Sequence, residues 1–115
     1  MEMTPETRRA LQSLKEALHQ TPVWQEYQAL SEKVMTREEN RRLLNQYFLL
    51  QQELQSAALS DTAADPECVR EFDKLNMLLF DDDEISAFLL SRMKWQQLLS
   101  AVLEDLVGEE GGSHA

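Results

Sequence analysis

Three prolines divide this chain, and each follows a residue able to cap a helix: Thr4-Pro5, Thr21-Pro22 and Asp65-Pro66. A Thr or Asp side chain accepts a hydrogen bond from an N–H of the first helical turn that has no partner within the helix. Proline at the first helical position gives up an N–H that would have gone unpaired anyway, and its fixed φ suits the helix. Thr36-Arg37-Glu38-Glu39 fits a capping box, with Glu39 reaching back to the Thr36 N–H. The run Asp81 to Glu84 supplies a further cap and negative charge for a positive helix end. Five helix starts are therefore written into the chain.

Apolar spacing fills the segments between them. Leu11, Leu14 and Leu18 step by three and four, as do Val23, Tyr27, Leu30 and Val34. Leu43, Tyr47, Leu50, Leu54 and Ala57 repeat the pattern, widened by Leu44 and Phe48. Val69, Phe72 and Leu79 mark a fourth segment; Ile85, Phe88, Trp95, Leu99, Val102 and Leu106 mark a fifth. These steps are helical, and no alternation of period two is sustained. They predict helices over 5–19, 22–35, 37–58, 66–79 and 83–107. Gly108 suits the position after a helix end. The chain reads as one helical domain over 1–107 and a flexible tail over 108–115, with residues 59–65 as the main internal loop.

The third and fifth helices are the long ones. At 1.5 Å per residue they span roughly 30 and 37 Å, while a globule of this length has a radius of gyration of about 13 Å. Apolar stripes that overhang a small core call for a second chain. The expected architecture is an all-α helical bundle of about five helices that forms a homo-oligomer, most simply a dimer. Leu43, Tyr47, Phe48, Leu50, Leu54, Leu99 and Leu103 are the expected self-association residues.

Charge narrows the range of partners. Eleven Lys and Arg face 21 Asp and Glu, a net charge of −10. Residues 1–60 carry 7 basic and 8 acidic side chains, whereas residues 61–115 carry 4 and 13. Nucleic acid and anionic membrane faces reward clustered Lys and Arg, so direct binding to either is not expected. A surface polarised in this way steers protein partners instead. No stretch approaches the roughly 18 apolar residues of a membrane span, and Met1 to Leu18 lacks a signal-peptide core. With one cysteine, Cys68, the expected compartment is the cytosol.

Few residues offer chemistry. Glu16-Ala-Leu-His19 has the Glu-x-x-His spacing of di-metal bundles, which need two such motifs and two further carboxylates. The alternative is a solvent-facing helix end with His19 near the negative dipole. Cys68 lies one turn into the fourth helix, where a helix N-terminus lowers a thiol pKa; the alternative is a half-buried small residue. Trp24 and Trp95 are either core residues or anchors for a partner. Arg37, Arg41 and Arg42, with Arg8 and Arg9, form a modest basic patch suited to a solvated face or to the acidic half of a partner subunit. Glu104, Asp105, Glu109 and Glu110 sit at a helix C-terminus, where the macrodipole disfavours them by about 0.3–1 kcal/mol. Together with Trp95 and Met93, Glu104 and Asp105 form the expected partner-binding surface. No phosphate loop, nucleophile triad or paired zinc ligands are present. The reading is a non-catalytic adaptor. The alternatives are a metal- or thiol-dependent protein using Glu16, His19 and Cys68, or a purely structural oligomerisation module.

The run from Leu18 to Tyr27 (LHQTPVWQEY) resembles a segment of the YlbF/YmcA family. Arg42 to Gln55 (RLLNQYFLLQQELQ) is similar to the family's leucine-rich helical segment, and Asp83 to Leu89 (DEISAFL) to its last-helix opening. The resemblance covers roughly residues 10–107 and rests on order and spacing. It implies a small all-α cytosolic bacterial regulator without catalysis that oligomerises. Such regulators are tied to competence, biofilm formation and sporulation, through a complex that modulates an mRNA-decay endoribonuclease. Some members work with cysteine-ligated iron–sulfur clusters; this chain has one cysteine and no cysteine cluster, and no cofactor is expected. Where members often carry an Ala-Glu pair in the last helix, this chain has Ser91-Arg92. That departure, with a connector at 59–65 that lacks glycine, marks a divergent paralogue.

Overall fold

The computed structural model describes residues 2–108. Five helices account for the regular structure of that span: α1 Pro5–His19, α2 Pro22–Met35, α3 Glu38–Leu59, α4 Pro66–Phe80 and α5 Asp83–Val107. No strand occurs among the described residues. The expected bounds agree to within one residue.

Four helix starts use their expected caps. Thr4 Oγ1 accepts from the Thr7 N–H at 3.1 Å, and Asp65 Oδ1 from the Glu67 N–H at 3.1 Å. Thr21 Oγ1 accepts from the Trp24 N–H at 3.2 Å and itself donates to the Leu18 carbonyl at 2.7 Å. Asp82 Oδ1 accepts from the N–H groups of Glu84 and Ile85, at 2.9 and 3.0 Å. The capping box at α3 does not form. Arg37 occupies the cap position without a side-chain cap bond, and the Thr36 hydroxyl donates backwards to the Lys33 carbonyl at 2.8 Å. That end is organised around the preceding helix instead: Asn40 Nδ2 donates to the Val34 carbonyl and Arg41 Nη1 to the Met35 carbonyl, at 3.1 and 2.6 Å. These bonds satisfy carbonyls that the last turn of α2 leaves without helical partners. Gln25 Nε2 does the same for the His19 carbonyl at the end of α1, at 2.8 Å.

α3 ends in a Schellman motif built without glycine. The Thr62 N–H reaches the Ala57 carbonyl and the Asp61 N–H the Ala58 carbonyl, at 2.9 and 3.2 Å. This places Asp61 at φ 56°, in the left-handed region. Gly108 follows α5 with φ 85°, as its expected place after the helix end requires. The expected tail from Glu109 onward lies outside the described residues.

The chain divides into two compact units: Met1–Ala29 with Leu90–Ala115, and Leu30–Leu89. It passes from one to the other within α2 and within α5.

Leu30–Leu89 holds the core. All nine buried apolar side chains among the described residues fall in it: Val34, Leu44, Tyr47, Leu50, Leu75, Leu79, Ile85, Phe88 and Leu89. Each such side chain contributes roughly 1.5–3 kcal/mol when fully buried. α3 and α4 pack side by side, and Tyr47 anchors their seam. Its ring stacks on Phe72 at 5.0 Å, and its hydroxyl donates to Asn76 Oδ1 at 2.9 Å.

The other unit is built differently. α1 is the most amphipathic helix, yet it buries no residue. Packing in this unit centres on a half-buried aromatic cluster. Trp24 stacks on His19 with ring centroids 4.4 Å apart, meets Tyr27 edge-on at 5.7 Å and lies 4.7 Å from Trp95.

Candidate interaction surfaces

The helical screw decides which expected site residues can act together. At 3.6 residues per turn, neighbours two apart sit about 200° apart around the axis. Trp95 faces inward against Trp24, whereas Met93 stands on the opposite face of α5, half exposed. These two residues therefore do not make one surface. Met93 instead shares a shallow open groove with Gln97, Ser100, Ala101 and Glu104. Glu104 and Asp105 are both exposed.

The expected self-association residues separate by depth. Tyr47 and Leu50 are buried within their own chain, where they support α3 from behind. Leu43, Phe48, Leu54 and Leu99 are half-buried. Leu103 is 60% exposed. Two neighbours outside the expected self-association set share its condition: Leu106, part of the apolar stripe of α5, is 67% exposed and Val107 62%. Leu106 continues the inward stripe of Trp95, Leu99 and Val102, so periodicity alone makes it look like core. On α1, Leu14 and Leu18 are half-buried while Leu11 is half exposed. In both helices, cover fades away from the aromatic cluster.

The residues with chemical potential serve structure. His19 lends its ring face to Trp24, and Glu16 accepts from Gln12 Nε2 at 3.1 Å. No group of three or more His, Cys, Asp or Glu side chains suited to a metal occurs among the described residues. The Cys68 thiol donates to Glu53 Oε1 at 3.6 Å. Its pKa is raised rather than lowered, first by desolvation and then by the carboxylates of Glu53, Asp65 and Glu71. The basic patch at α3 is interleaved with Glu38 and Glu39 along one opening, and Arg41 is committed to the end of α2. No helix among the described residues is long and apolar enough to cross a membrane.

The X-ray structure of Bacillus subtilis RicA in complex with RicF resembles this fold, with a TM-score of 0.60 at 15% sequence identity. The similarity covers 98% of this chain and 100% of that one. No curated protein sequence matches. Residues 8–107, nearly the whole described span, match the family described as control of competence regulator ComK, YlbF/YmcA. The chain belongs to that family.

Proposed function

We propose that this chain is a non-catalytic cytosolic regulator that works by protein–protein contact, self-associating and joining a complex that modulates an mRNA-decay endoribonuclease. The carrying observation is the uneven burial. One unit encloses every buried apolar side chain among the described residues, while the other encloses none and leaves Leu11 in α1 and Leu103, Leu106 and Val107 at the end of α5 uncovered; Leu49, Leu59, Met77 and Leu78 are exposed on the core unit as well. A contiguous apolar patch rimmed by polar residues marks a protein contact site, and Leu103, Leu106 and Val107, three and four positions apart on α5, make such a stripe. Glu104 and Asp105 supply that rim on α5 and favour a basic partner. The family supports a regulatory role, and the similar structure is itself a two-protein complex.

Affinity co-purification from the native host tests the reading. Wild-type chain is expected to recover an RNA-degrading assembly, and Leu106→Asp to recover several-fold less at unchanged helicity. Equal recovery by both chains, or recovery of no ribonuclease, would overturn it.

A further inference from the structure

The outer face of α5 carries one run of exposed residues. Leu90, Lys94, Gln97, Ala101, Glu104 and Gly108 recur at steps of four and three, so they share one face of the helix. The first five are exposed, while Ser91, Trp95, Leu98, Leu99 and Val102, which face the other way, are buried or half-buried. A basic residue stands near one end of the stripe and an acidic one near the other. Ten residues separate Lys94 from Glu104, about 15 Å along the axis, so they cannot pair on one helix. Neither has an oppositely charged residue three or four positions away on α5.

We infer that α5 pairs antiparallel with α5 of a second copy, with this face as the seam. Reversing the stripe on itself sets Lys94 of each copy beside Glu104 of the other, Gln97 beside Ala101, and Leu90 over the bare backbone of Gly108. Long side chains thus meet small ones, and the two charge pairs repeat by symmetry, as a two-fold interface requires. Another protein would need the same charges in reverse order; a second copy carries them by construction. The pairing also brings Lys94 close to the C-terminal end of the other α5, where Glu104 and Asp105 otherwise oppose the macrodipole. Charge pairs set register and orientation more than affinity, so the dimer is weak, of micromolar range. The inference rests on the self-association proposed above and specifies its geometry.

Sedimentation equilibrium on the full chain, from micromolar to millimolar concentration, tests it. Lys94→Glu and Glu104→Lys each place like charges together twice and are expected to weaken the dimer about tenfold. An equimolar mixture of the two variants restores attraction at both pairs and is expected to recover wild-type association as a heterodimer. A wild-type dimer indifferent to both substitutions, or a mixture that stays dissociated, overturns the seam while leaving self-association standing. A wild-type chain monomeric throughout overturns both.

Discussion

Asp61 occupies a backbone conformation that most residues avoid. Its φ of 56° completes the Schellman motif of α3, and a Cβ in that region costs up to about 1–2 kcal/mol, somewhat less for Asp. Asp61→Gly is therefore expected to raise stability by about 0.5–1 kcal/mol, read as a higher urea midpoint at unchanged slope. Cys68 shows the opposite relation between local sequence and outcome. Its position in the first turn of α4 points to a lowered thiol pKa, because the dipole is a property of the segment itself. Glu53 arrives from α3, fifteen residues earlier, and no local pattern announces it. Since the thiol titrates above its ordinary range, alkylation is expected to be slow near neutral pH and to accelerate only in strongly alkaline buffer. Glu53→Gln removes the nearest opposing charge, so its alkylation rate profile should shift to lower pH.

At the scale of elements, the caps rank in a way that denaturation can check. Asp82 holds two N–H groups of α5, so Asp82→Ala is expected to cost about 1 kcal/mol. Thr36 holds none at α3, and Thr36→Ala should cost less than half as much. Helix positions were legible because proline, capping side chains and apolar spacing act within a few residues. The direction in which Thr36 turns was not legible, because it depends on where the carbonyls of α2 end. Arg41 illustrates the same limit: its charge is visible in the sequence, whereas its bond to the Met35 carbonyl depends on the joint between α2 and α3. Which apolar faces become covered was equally hidden. The stripe of α1 is as regular as that of α3, yet α1 buries nothing and α3 buries Leu44, Tyr47 and Leu50.

For the whole molecule, stability and association are expected to map onto different units. Phe88→Ala removes a side chain that is 1% exposed in the core of Leu30–Leu89 and should cost about 3–5 kcal/mol. Leu11→Ala removes one that is 49% exposed and should cost under about 1 kcal/mol in the isolated chain. Hydrogen exchange should report the same contrast, with α3 amides outlasting those of α1. If that exchange contrast holds, the same unit is where proteases gain entry when the chain is alone. Copies without a binding partner should therefore be degraded faster than assembled ones. The cellular amount of this regulator would then track the supply of whatever covers α1 and the end of α5, so that subunit stoichiometry is set by turnover rather than by synthesis.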